Sequence, residues 1–297
     1  MAEPPLPYAA YQYGAHELQR VGVWDLDGVD PRAAGGHRYW IIYIHGGAWR
    51  DPRVTHRTFE PSIERIRGDA FAGKHVAAFA SIDYRLSPHP DFPQDPDATP
   101  PEQYRGARHP DHLDDVYLAV RYLQDAFGFG SRYILVGHSA GATLSYQMIA
   151  TDKKSGGTKG KDHLDGLGDF VFPTALCGVE GIYDFRGLND RKGGDYSGFL
   201  TAAFGDPAGW DAAAPMKCGG TYAASDELWV LAHSSEDELV DMPETEGMAR
   251  RLLRDSGSEK QILLIKDLEG KHDDVWRSNE GVARVVSQTL RYIERVS

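Results

Sequence analysis

Short apolar runs alternate along this chain with longer stretches whose apolar residues recur at helical spacing. RYWIIYIH (Arg38 to His45), HVAAFASIDYRL (His75 to Leu86) and RYILVG (Arg132 to Gly137) read as strands buried on both faces. FPTALCGVEG, LWVLAHS and QILLIKDL supply three more, and VGVWDLDG (Val21 to Gly28) reads as an early edge strand. Between them, Thr55 to Gly68 sets Phe59, Ile63 and Ile66 on one helical face, with Pro61 limiting where the helix begins. Asp111 to Phe127 does the same with Val116, Val120, Leu123 and Phe127. AGATLSYQMIA (Ala140 to Ala150) predicts a helix of small residues, and Asn279 to Val296 a closing helix. The Pro/Asp-rich stretch Ser87 to Glu102 predicts a loop. Gly/Lys-rich 153–169 predicts an exposed, flexible one. The alternation predicts an α/β fold, a mostly parallel sheet with helices on both faces, over one domain of residues 1–297. Ligands in such folds sit beyond the carboxyl ends of the strands, so chemistry is sought in the loops that follow strands.

Composition narrows the function. The 32 Lys+Arg against 44 Asp+Glu give a net charge of −12, which repels nucleic-acid backbones and anionic membranes. No apolar stretch approaches the ~20 residues of a membrane span. MAEPPLPYAA lacks the basic and apolar regions of a signal peptide, and Cys177 and Cys218 are too few for a disulfide scaffold. The expectation is a cytoplasmic enzyme with a small-molecule substrate, no nucleic-acid or membrane partner and no cofactor; a homodimer stays open.

One post-strand loop, ILVGHSAGA, holds Gly137-His138-Ser139-Ala140-Gly141, a G-x-S-x-G between a strand and a small-residue helix. That context is what makes the motif meaningful: a turn sharp enough to thrust the Ser139 hydroxyl into a cleft leaves room only for small residues on either side. A serine needs a base. In this arrangement the partners follow in the order Ser, Asp or Glu, His. After LWVLAHS the chain has one histidine, His272, again just past a strand. The acid candidates are Asp237, Asp184 and Asp241. Asp237 is favoured because it precedes Leu239-Val240, which can bury the loop and leave the carboxylate facing the imidazole.

YIHGGAWRDP (Tyr43 to Pro52) completes the set. Two glycines straight after a strand let backbone amides approach a substrate closely. Attack by Ser139 on a carbonyl creates an oxyanion; Gly46, Gly47 and Ala48 from this loop and Ala140 from the helix start are the candidate donors. His45 is expected to brace the loop, His138 to point away from the cleft, and His109 and His112 to lie at a solvated helix start rather than to bind a metal. Trp49 is either a wall of a small acyl pocket or a strut packed into the core. Tyr183, Phe185, Trp210 and Trp276 are candidates for the leaving-group side, each open also to a role in the core.

HGGAW, SIDYRLSPHP (Ser81 to Pro90), HPDHLDDV (His109 to Val116) and ILVGHSAGAT together resemble fungal kynurenine formamidases, within the α/β-hydrolase superfamily. The similarity runs from about Tyr39 to the final helix, with the 87–102 loop and the 153–169 insert as departures. The resemblance implies Ser139, Asp237 and His272 as triad, Gly46 to Trp49 as oxyanion loop, and hydrolysis of N-formyl-L-kynurenine to kynurenine and formate. A small-acyl carboxylesterase would use the same machinery, since ester and formamide share a tetrahedral intermediate. A catalytically dead binding module would ordinarily lack the serine or the histidine.

Overall fold

A computed structural model of the chain describes residues 5–26, 38–152, 170–222, 227–277 and 280–296. Eight strands form one sheet: β1 (Tyr8–Gln12), β2 (Arg20–Asp25), β3 (Tyr39–Ile44), β4 (Val76–Ile82), β5 (Tyr133–His138), β6 (Ala175–Val179), β7 (Leu228–Ser234) and β8 (Ile262–Leu268). Their order is β1-β2-β4-β3-β5-β6-β7-β8. β2 runs antiparallel to β1 and β4, and every other pair is parallel. The run VGVWD is therefore an inner strand; its edge neighbour is β1, whose polar and tyrosine-rich sequence, half exposed, gave no strand-like apolar signal.

The central strands are buried on both faces, and their alternate residues feed two cores. Trp40, Ile42 and Ile44 of β3 face one layer; Ile41 and Tyr43 face the other. On the first side pack α2 (Asp111–Phe127) and α3 (Ala140–Ile149). On the second pack α1 (Glu60–Gly68) and α7 (Gly281–Val296). α2 opens with Asp111 and Asp114 in its first turn, where carboxylates suit the helix dipole, and stops at Gly128 in the left-handed region. α4 (Phe185–Arg191), α5 (Ser197–Phe204) and α6 (Met242–Ser256) complete the layers. Residues 87–102 carry no helix or strand, as the prolines predict. The expected flexible loop at 153–169 lies outside the described residues. No helix among the described residues is long and apolar enough to cross a membrane.

Candidate active site

Three loops at the carboxyl ends of β5, β7 and β8 meet the loop after β3. Ser139 stands between β5 and α3 at φ 53°, ψ −120°, a strained conformation for a residue with a side chain. Gly141 makes that turn possible: a Cβ there would collide with the carbonyl of Ile44, so only glycine lets α3 settle against β3. Gly46 has the matching role from the other loop. A Cβ on it would lie 2.9 Å from Ser139 Cβ, so the glycine is the space in which the two loops touch.

His272 follows β8 and is almost fully buried. Its Nδ1 donates to Asp237 Oδ2 at 2.8 Å, and its backbone amide donates to Glu238. The other Asp237 oxygen accepts the amides of Leu239 and Val240 at 2.9 and 2.8 Å, so the two residues after the acid fix it through their backbones. The rival acids are engaged elsewhere: Asp184 caps α4 and pairs with Lys217, and Asp241 pairs with Arg191.

The loop after β3 turns through three successive positive φ angles, at Gly47 (91°), Ala48 (50°) and Trp49 (58°). The amides of Gly47, Ala48 and Ala140 have no hydrogen-bond partner among the described residues. Gly47 and Ala48 line the cavity that holds Ser139 and His272, whereas Gly46 serves as the spacer. The loop is braced from beneath. His45 Nδ1 contacts the Gly46 carbonyl at 2.9 Å, and Tyr84 Oη donates to the carbonyls of His45 and Gly46. Ser87 donates its amide to the Trp49 carbonyl, and Arg85 forks onto Asp115 of α2. The stretch YRLSP is thus a support for the amide-bearing loop. Burial opposes the charge on Asp83, but hydrogen bonds from His45 and His56 outweigh it and hold this carboxyl well below the usual range.

Trp49 is fully buried against Phe185, Phe199 and Phe204, with ring centroids 5.8, 6.1 and 4.9 Å away, and does not line the cavity. It is a core strut behind the loop, not a wall of an acyl pocket. Tyr183, Phe185 and Trp210 are likewise buried in the core; of the four aromatic residues expected on the leaving-group side, Trp276 alone lines the cavity. Tyr196, Phe199, Ile182, Leu239 and Val240 supply the remaining apolar wall. The cavity has a volume of about 300 Å³. His112 is not solvated: it is fully buried, contacts Ser87 Oγ at 3.0 Å, and burial pulls its pKa down to about 3.

Glu180, at the end of β6, carries no flag in the sequence beyond a charge directly after an apolar run. It is fully buried at φ 50°, with Oε1 accepting the Ser234 amide at 3.2 Å. Its Oε2 has no hydrogen-bond partner and lies 3.5 Å from His272 Nδ1 and 3.6 Å from His138 Nε2. Burial, then repulsion from Asp237, pushes its pKa up to about 10, which favours a neutral acid beside the His272–Asp237 hydrogen bond. His138, also buried, lies beneath His272 and borders the cavity instead of pointing away from it: Nε2 donates to the His272 carbonyl at 3.1 Å. Donor atoms of His138, Glu180 and His272 lie within 4.8 Å of one another. Both imidazole nitrogens there donate hydrogen bonds within the network, and an N–H has no lone pair for a metal.

No family model matches the chain. Curated relatives do. It is 36% identical to the kynurenine formamidase-like hydrolase fscH of Fusarium equiseti, covering 88% of this chain and 86% of the relative. It is 34% identical to the kynurenine formamidase avaC of Aspergillus versicolor (82% and 86% covered) and 31% identical to a kynurenine formamidase of Meyerozyma guilliermondii (94% and 92%). Among solved structures, an esterase of Thermogutta terrifontis superposes with a TM-score of 0.63 at 16% identity, covering 97% of this chain and 92% of that one. The esterase of Pyrobaculum calidifontis gives 0.62 at 18%, covering 99% and 87%. These distant structures establish the α/β-hydrolase fold, and identities of 31–36% across 82–94% of its length establish that the chain belongs to the kynurenine formamidase family.

Proposed function

We propose that this chain hydrolyses N-formyl-L-kynurenine to L-kynurenine and formate through a formyl-enzyme on Ser139. The observation that carries the reading is the junction of the Ser139 turn with a His272–Asp237 pair at 2.8 Å at one cavity, in a chain of this family. Ser139 Oγ attacks the formyl carbon while His272 Nε2 takes its proton. Asp237 holds the imidazole by Nδ1 and offsets the imidazolium charge as it forms. The amides of Gly47, Ala48 and Ala140 receive the developing oxyanion, each donor contributing roughly 3 kcal/mol to barrier lowering. Collapse breaks the C–N bond, and His272 returns the proton to the leaving arylamine. Water, deprotonated by His272, then attacks the formyl ester and releases formate and Ser139. Trp276, Tyr196 and Phe199 give the aryl ring an apolar wall.

The fold neighbours are esterases, which supports a second reading, a small-acyl carboxylesterase built on the same machinery. One assay separates them. The purified chain is given N-formyl-L-kynurenine beside p-nitrophenyl acetate and butyrate. The formamidase reading expects kcat/KM for the formamide to exceed that of either ester by tenfold or more. Ester turnover with no formamide turnover would establish the esterase reading instead.

A further inference from the structure

Among the described residues three guanidinium groups line the cavity that holds Ser139, in a protein whose net charge is −12. Two of them are already neutralised. Arg53 pairs with Asp51 at 2.7 Å, and Arg277 pairs with Asp273 at 2.9 Å while lying over the Trp276 ring. The Arg50 guanidinium has no ion pair and no hydrogen bond among the described residues. Asp91 and Asp51 act on it only through space, and its guanidinium sits 5.7 Å over the Phe199 ring. It is half-buried, and desolvation is the largest influence on it, working against its charge. An unpaired cation held partly out of water is a costly arrangement unless something anionic completes it. The chain also fixes where it stands: Arg50 directly follows the positive-φ run Gly47-Ala48-Trp49, whose first two amides are proposed oxyanion donors, and its own amide donates to the Gly47 carbonyl. The amide donors and the guanidinium therefore ride on one braced loop.

We infer that Arg50 is the carboxylate-recognition residue of this site, so that the enzyme selects formamides whose leaving group carries an amino-acid carboxylate over those that lack it. This inference rests on the formamidase reading and adds to it a subsite for the end of the substrate remote from the scissile bond. The cation–π contact with Phe199 holds the guanidinium at the cavity wall, and a guanidinium presents two parallel N–H donors that match a carboxylate edge to edge. The aryl ring of the substrate would lie against Phe199, Tyr196 and Trp276, and its ammonium group can remain in water at the mouth. Arg53 and Arg277 are spoken for by their own acids and do not compete for the carboxylate.

The test compares N-formyl-L-kynurenine with N-formylkynuramine, the same formanilide without the carboxylate, on wild type, Arg50→Met and Arg50→Lys. A charge-assisted, bidentate contact corresponds to a preference of about 10- to 100-fold, so wild type should show that ratio in kcat/KM. Arg50→Met should lose it on the carboxylate substrate alone, leave N-formylkynuramine within about twofold, and abolish the salt dependence of the former. Arg50→Lys should recover part of the preference. Equal kcat/KM for both substrates in wild type overturns the inference while leaving the formamidase reading intact, and so does an equal loss on both substrates in Arg50→Met. Turnover of neither formamide by wild type sinks both together. Should Arg50→Met fail to fold, the wild-type ratio and its salt dependence still decide.

Discussion

At the scale of single residues, two carboxyl groups stand behind His272, one more than the proposed Ser139–His272–Asp237 triad requires. Asp237 is ionic and fully tied down, by two amides on one oxygen and by His272 Nδ1 on the other. Glu180, 3.5 Å from the same Nδ1, stays protonated because it is buried and because Asp237 is charged. If it were ionised as well, two carboxylates would hold His272 as imidazolium and spoil it as a base. In a Ser-His-Asp triad, Asp→Asn costs kcat about 10⁴-fold. Here Asp237→Asn removes the repulsion on Glu180 and leaves a second acid within reach of the ring. The expected outcome is a smaller loss, about 10²- to 10³-fold, with residual activity that rises with pH as Glu180 ionises. Asp237→Asn/Glu180→Gln should fall to the full loss with a flat profile. A pH series of kcat on the two variants checks this; identical residual activities would show that Glu180 takes no part. Asp241→Asn, which loses only the pair with Arg191, should cost little.

The next scale is the element, and the loop after β3 is where the sequence reading and the structure part. The glycine doublet of HGGAW alone fits an ordinary tight turn equally well; it was legible as an amide-bearing turn only beside the G-x-S-x-G serine, and the elbow after β5 was legible from its strand–turn–helix setting. Trp49 was open to two roles, and its burial in a cluster of phenylalanines selects the core one. Nothing local distinguishes a tryptophan facing a cavity from one facing the opposite side of a positive-φ turn. Helix α6 escaped for a related reason: MPETEGMARRLLRDS is rich in charge, and its buried stripe includes Glu244, Thr245, Gly247 and Arg251, which no apolar pattern reveals. Glu244 is there to accept the amides of Tyr183 and Asp184, pinning the loop after β6. Trp49→Ala should therefore act on stability, by about 3–5 kcal/mol. The relative rates on p-nitrophenyl acetate, propionate and butyrate should stay as in wild type. Urea unfolding and the ester series check the two halves; a marked gain of butyryl activity in a stable variant would return Trp49 to the pocket wall.

Across the whole molecule, the sheet order brings the carboxyl ends of β3, β5, β6, β7 and β8 to one side and so buries titratable groups that an acidic chain of charge −12 would otherwise leave in water. Among the described carboxyl groups Glu180 carries the largest upward shift. Its folded-state pKa of about 10 stands far above the ~4.5 of an exposed glutamate, so above pH ~4.5 the unfolded chain has lost a proton that the folded chain keeps. Stability contributed by this protonated acid is complete below pH ~4.5 and is lost progressively as pH rises toward 10. Glu244 adds to the same slope over a narrower window, since burial, only partly offset by the Tyr183 and Asp184 amides and by Arg191, pushes it up to about 7. Replacing Glu180 by glutamine preserves the shape and the Ser234 contact while removing the titration. The variant should thus gain on wild type steadily between pH 5 and 9, and the two Tm curves should diverge with rising pH. Asp237 is the charge that most opposes ionisation of Glu180 after burial itself, so Asp237→Asn should flatten the wild-type slope in the same direction. Thermal melts of the three proteins across that range measure it. Parallel curves for wild type and Glu180→Gln would mean that Glu180 is already ionised in the folded protein, and that the cavity behind His272 is more polar than its burial implies.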